Sequence, residues 1–320
     1  MPFTLDPDVA AALAAAFPNG RPAPLPVGDV AARRQRQNAI FDGLASSFPV
    51  TPSVQTKDFR AKAEDGYEIL LRWYFKAGSD ASSKGPAILH IHGGGMIGLS
   101  VEILDAFPKV YVAQTGVPML SVDYRLAPEV KAPVPMKDCY AGLEFLVAHA
   151  DELGVDTSRI AVMGESAGGG LAASLTHYAK AKGGPAICKQ VLVYPMLDDR
   201  TQTIDRNTAP YLMWDVNDNI TGWQAMLGDA AGGPDVPAIH APARMTVEEA
   251  IGLPPTYVDV GQLDLFRDED LEYVRKLGLA GVDVTFHLYP GMPHAFESIA
   301  KDAKTTRFAM EQRVKALTSF

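Results

Sequence analysis

From residue 86 onward, short apolar runs alternate with longer segments whose apolar positions recur at intervals of three and four. The runs at 86–91, 117–124, 159–163, 189–194, 255–260 and 284–289 are rich in β-branched residues or almost continuously apolar, which predicts buried strands. Between them, 103–114, 136–153, 167–181, 267–279 and 301–317 carry the helical period; in 136–153 the face is Tyr140, Leu143, Leu146 and Val147. Such alternation predicts an α/β fold, a mainly parallel sheet covered by helices on both faces. Residues 54–60 and 69–75 predict two further strands, joined around Asp65-Gly66, a pair that favours a hairpin turn.

Two segments break the alternation. Residues 1–48 read as helices and loops, and residues 200–250 interrupt the series between two strands, carrying Tyr211, Met213, Trp214, Trp223, Met226 and Leu227. A long excursion between neighbouring strands is usually a lid or binding element. The expectation is a cap built from 1–48 and 200–250 over a core made of 49–199 and 251–320. The alanine-rich stretch 10–16 has a helical composition and is too short to span a bilayer. Asp6 and Asp8 precede it where a signal peptide would carry basic residues, so a short helix is expected.

Composition narrows the classes of function. Of the 320 residues 47% are hydrophobic, enough for a substantial core, and the formal charge of −9 argues against a phosphate-tracking surface and hence against nucleic acid as a partner. The densest basic cluster, "RRQR" at 33–36, reads as a solvated helix face. The two cysteines, Cys139 and Cys188, lie far apart in or beside apolar segments, which suits reduced packing residues of a cytoplasmic protein. No metal-ligand spacing stands out.

The chemistry concentrates in "MGESAGGG", residues 163–170. Gly164-Glu165-Ser166-Ala167-Gly168 follows a predicted strand and opens a predicted helix, the setting of a nucleophile elbow. A sharp turn there lifts the Ser166 hydroxyl above the sheet, and the flanking glycines avoid collisions of Cβ atoms with the adjoining strand and helix. A serine needs a base. Of seven histidines, His287 falls within a strand pattern and His149 and His177 within helices, whereas His294 lies in the loop directly after the strand ending at 289. That is the sheet edge at which such folds place reactive groups. Asp264 follows the preceding strand at the same edge and suits the acceptor that fixes the tautomer of His294. The rivals are Asp259, inside the strand, and Asp268, Glu269 and Asp270, which suit the first turn of a helix. Gly93 and Gly94 of "HGGG", 92–95, follow another strand, and their amides together with that of Ala167 suit an oxyanion site. A phosphate cradle is the competing reading of the glycine run, but neither dinucleotide nor P-loop spacing is present.

Five pieces, "HIHGGG" (90–95), "DYRLAPE" (123–129), "GESAGG" (164–169), "DLFRDE" (264–269) and "GMPHAF" (291–296), resemble, in order, the hormone-sensitive-lipase-like microbial esterases of the α/β-hydrolase superfamily. The resemblance implies an eight-stranded, mostly parallel sheet with a helical cap, no cofactor, and hydrolysis of short- to medium-chain carboxylic esters, including acetyl esters, commonly by dimers pairing through an edge strand. It implies Ser166, Asp264 and His294 as the triad and Gly93, Gly94 and Ala167 as the oxyanion hole. His92 and Gly95 are expected to support that loop. Met96, Tyr211, Trp214, Trp223 and Leu265 are expected around the substrate, although the aromatic residues of the insertion would serve equally to pack the cap.

Two positions depart from the family pattern: Glu165 stands where aspartate or threonine is usual, and Leu265 where proline follows the acid. Glu165 reads either as an exposed passenger or as a supporting carboxylate held by hydrogen bonds beside the elbow. Asp123, Arg125 and Glu129 read as a structural network near the active-site edge. A non-catalytic ligand-binding hydrolase-like protein and an amidase, peptidase or lipase are the other functions compatible with this fold.

Overall fold

A computed structural model describes residues 3–44, 48–80, 82–203 and 205–320. Each predicted strand forms: β1 (Val54–Lys62), β2 (Glu68–Lys76), β3 (Gly85–Ile91), β4 (Met119–Val122), β5 (Val155–Glu165), β6 (Lys189–Val193), β7 (Thr256–Gly261) and β8 (Val284–Tyr289). They make one eight-stranded sheet in the order β1-β2-β4-β3-β5-β6-β7-β8, in which β2 runs antiparallel to β1 and β4 and the remaining pairs are parallel. The helices are α1 (Pro7–Ala16), α2 (Val30–Leu44), α3 (Ala106–Thr115), α4 (Val134–Ala148), α5 (Ala150–Leu153), α6 (Ala167–Lys182), α7 (Val216–Leu227), α8 (Val247–Ala250), α9 (Arg267–Leu279), α10 (Phe296–Ile299) and α11 (Lys304–Ala316).

Alternation within the strands decides which helices cover which face. Leu89 and Ile91 of β3 join a core with Leu143 of α4, Leu171 of α6 and Tyr273 of α9, whereas Ile88 joins Tyr111 of α3 and Ala316 of α11 on the opposite face. Both faces are therefore buried, as the nearly continuous apolar runs require. Strand β4 is shorter than its apolar run. At Asp123 the backbone N–H still donates to the Leu70 carbonyl of β2, continuing that antiparallel pairing by one residue, and the carboxylate accepts from the Val101 amide.

Helices α1 and α2 and the segment leading into α7 come together beside the 93–95 loop that follows β3. Here the basic cluster differs from expectation. Arg33 is fully buried, donating to Asp218 of α7 at 2.8 Å and to the carbonyls of Leu25 and Pro26. Arg36 donates to both Asp218 oxygens, at 2.7 and 2.8 Å, and Arg34 donates to both Glu129 oxygens at 2.6 Å. The physical reason is that α2 has few apolar residues to bury, so guanidinium forks dock it, with a buried carboxylate as their counter-charge.

The other charges of "DYRLAPE" tie separate elements. Arg125 clamps Asp138 of α4 at 2.9 and 2.7 Å and reaches Asp65 of the β1–β2 turn at 2.5 Å. Cys139 is buried, Cys188 is half-buried, and both are free. Among the described residues no helix is long and apolar enough to cross a membrane.

Candidate active site

Ser166 occupies the turn between β5 and α6 with φ 56° and ψ −122°, a region of positive φ that a residue bearing a Cβ adopts only when its surroundings impose it. Here β6 imposes it: the Ser166 amide donates to the Val193 carbonyl at 2.9 Å, and the Met196 amide donates to the Ser166 carbonyl at 2.9 Å. The two glycines of the motif are steric necessities. A Cβ on Gly164 would stand 2.3 Å from the Gly168 carbonyl oxygen, and one on Gly168 would stand 2.0 Å from that of Ile91.

Neighbouring strands bring the other two groups to this turn. Strands β7 and β8 pair up to Gly261 and Tyr289, and beyond them the Leu263 amide donates to the Met292 carbonyl at 2.9 Å, which joins the Asp264 and His294 loops. His294 Nε2 lies 3.1 Å from Ser166 Oγ, and His294 Nδ1 lies 2.7 Å from Asp264 Oδ2. The second Asp264 oxygen accepts the Phe266 amide at 3.0 Å, fixing the carboxylate. Three of the four rival acids are paired elsewhere. Asp259 pairs with Arg313, Glu269 accepts the amides of Leu197 and Asp198, Asp268 pairs with Arg267, and Asp270 is fully buried.

The "HGGG" loop passes beside the elbow. Gly94 has φ 120°, and a Cβ there would stand 2.1 Å from the Gly98 carbonyl oxygen. Among the described residues neither the Gly93 nor the Gly94 amide donates to the backbone, and Ala167, the first residue of α6, has no preceding turn to donate to. His92 stacks on Tyr124 with ring centroids 4.3 Å apart and donates from Nδ1 to the Gly93 carbonyl at 2.8 Å. Burial pushes its pKa down, so it holds the loop as a neutral ring. Gly95 leaves room for the Trp214 ring, which approaches to 2.2 Å of where a Cβ would be.

Ser166, His294, Gly93, Gly94, Gly95 and Glu165 border a cavity of about 500 Å³. Its apolar walls come from Leu13 and Phe17 around α1, Ile40 and Phe41 of α2, and Leu99, Leu104 and Phe107. Of the five residues expected around the substrate, Trp214 borders it. Met96, Tyr211, Trp223 and Leu265 lie elsewhere: Met96 and Trp223 are buried in the main core, Leu265 packs against it, and the Tyr211 hydroxyl donates to the Phe3 carbonyl at 2.7 Å. In their place the N-terminal helices and Met213 supply the wall.

Glu165 is buried and accepts from His90 Nε2 at 3.0 Å, while His90 Nδ1 meets Ser121 Oγ at 2.8 Å. Sequence reasoning left His90 unassigned, as it did Tyr194, which also borders the cavity. The available signal for His90 was a titratable ring within an otherwise apolar strand, where burial demands a partner.

A buried serine, imidazole and carboxylate in hydrogen-bonded series at the strand ends of this sheet define a serine-type α/β hydrolase. The α/β-hydrolase fold family matches residues 88–298. Esterase LipI of Mycobacterium tuberculosis is 32% identical over 255 residues, 79% of this chain and 78% of its own. Ethyl acetate hydrolase of Pseudomonas putida is 30% identical over 256 residues, 75% of this chain and 74% of its own. A solved bacterial heroin esterase superposes with a TM-score of 0.85 at 35% identity, covering 98% of this chain and 97% of that one. The chain belongs to the α/β-hydrolase family, in its hormone-sensitive-lipase-like branch, and is a carboxylic ester hydrolase.

Proposed function

We propose that Ser166, His294 and Asp264 carry out the hydrolysis through an acyl-enzyme, and that the substrates are short- to medium-chain acyl esters, acetyl esters among them. The observation that carries this reading is the series Asp264–His294–Ser166, with contacts of 2.7 and 3.1 Å, opening into an apolar cavity. His294 Nε2 takes the Ser166 proton as Oγ attacks the acyl carbon, and Asp264 stabilises the imidazolium that forms. The amides of Gly93, Gly94 and Ala167 receive the oxyanion, each such donor being worth about 3 kcal/mol in the transition state. His294 then protonates the departing alcohol. Water, deprotonated by the same nitrogen, releases the acid.

The cavity volume of about 500 Å³ suits an acyl chain of modest length, and the name of the Pseudomonas relative supports an acetyl ester. The free cysteines suit a cytoplasmic enzyme, and the open edge of β8 suits pairing with a second copy. Rates on p-nitrophenyl esters from acetate to laurate test the substrate reading. An optimum between acetate and octanoate is expected, and an optimum at laurate contradicts it.

A further inference from the structure

Behind the His294 imidazole, on the sheet face covered by α3 and α11, lies a series of buried polar side chains that the proposed reaction leaves unused. Tyr194 follows β6 with φ 36°, in the left-handed region that a bulky residue occupies only under constraint. Its ring meets the His294 ring edge-on, with centroids 4.6 Å apart and planes at 63°. Its hydroxyl donates to Glu297 Oε1. Glu297 lies 3.5 Å from Nη1 of Arg313, and Arg313, fully buried on α11, donates to both oxygens of Asp259 at 2.7 and 3.0 Å. The same guanidinium stands over the Tyr194 ring at 5.4 Å, and the Tyr194 amide donates to the Asp259 carbonyl at 2.6 Å.

Tyr194 is thus held at both ends, by its own strained backbone and by its phenol. Two carboxylates share one guanidinium, so Glu297 keeps acceptor capacity for the phenol. Burial, and then the Glu297 charge, push the Tyr194 pKa well above the ordinary phenol range, which keeps the hydroxyl a donor. On another side His294 meets the edge of Phe266 at 5.2 Å, and the Phe266 amide holds Asp264. The imidazole therefore touches two aromatic rings, each tied to a different carboxylate.

We propose that Tyr194, tethered through Glu297 to Arg313, is a positioning residue that fixes the plane of the His294 ring so that Nε2 stays in reach of Ser166 Oγ. The inference rests on the proposed role of His294 as the base. A ring free to turn spends less time aligned, so the loss falls on kcat and leaves KM in place.

The test is steady-state hydrolysis of p-nitrophenyl butyrate by Tyr194→Phe, which keeps the ring and removes the tether, with melting followed by circular dichroism. A kcat lower by about tenfold, with KM within about twofold, is expected. Glu297→Leu should lose as much. Glu297→Gln, which still offers the phenol an oxygen, should recover most of the rate, and Tyr194→Phe/Glu297→Leu should be no slower than either single variant. Wild-type kcat in Tyr194→Phe overturns the proposal, as does a kcat loss that tracks loss of folded protein or adds up in the double variant. Full activity in a parallel Ser166→Ala sample would instead remove the reading on which the proposal rests.

Discussion

The carboxylate next to the nucleophile is paired with a strand histidine: Glu165 Oε2 lies 3.0 Å from His90 Nε2, and Ser121 completes the series across β4, β3 and β5. Glu165 is therefore part of the floor beneath the elbow, and its extra methylene relative to aspartate sets the reach to His90.

Replacing Glu165 by glutamine keeps an acceptor and removes the charge. The charge-assisted part of the bond is worth about 1 kcal/mol. A melting temperature lower by roughly 2 °C and a slower turnover are expected, with Ser166 still acylated by a fluorophosphonate probe. Wild-type melting and rates in Glu165→Gln contradict this role.

Helix α2 is held by charge, and the strength of that attachment can be read directly. Arg33 is fully buried and leaves Asp218 with Arg36 as its guanidinium partner when removed. Breaking a buried pair typically costs about 3–5 kcal/mol, and the remaining arginine places Arg33→Ala toward the lower end. Limited proteolysis should cut the 17–29 connection faster in that variant, and KM should rise because α1 and α2 form the cavity wall. Unchanged cleavage and KM would show that the cap holds by other contacts.

The strands were legible in the sequence because burial on both faces leaves apolar runs with little competing signal. Ser166, Asp264 and His294 could be selected because each follows a predicted strand at one sheet edge. The cavity wall could not be read the same way. Helix α2 shows no apolar stripe, so Ile40 and Phe41 look like surface residues until Arg33 and Arg34 are seen to dock the helix. Trp223 and Tyr211 read equally as pocket and as packing residues from sequence; Trp223 joins the main core and the Tyr211 hydroxyl donates to the Phe3 carbonyl. The Tyr194–Glu297 contact joins residues 103 positions apart, which no local pattern reports.

A pH dependence of stability follows from His177 on α6. Its Nε2 is buried without a partner among the described residues, and burial, followed by the Lys180 charge, lowers its pKa from 6.5 to about 4. In the unfolded chain the ring titrates near its ordinary value, so between those two pH values the unfolded state binds more protons. Stability is thus intact above about 6.5 and falls as the pH drops toward 4, by up to roughly 3 kcal/mol. Urea denaturation at pH 7 and pH 4.5 should show a smaller difference for His177→Leu than for the wild type. An identical difference contradicts the assignment.

The assignment of Ser166 as nucleophile is tested most directly by hydrolysis of p-nitrophenyl butyrate with wild type and Ser166→Ala side by side. A loss of at least about 10³-fold in kcat is expected for Ser166→Ala, with melting unchanged. Retention of wild-type turnover by Ser166→Ala would contradict it.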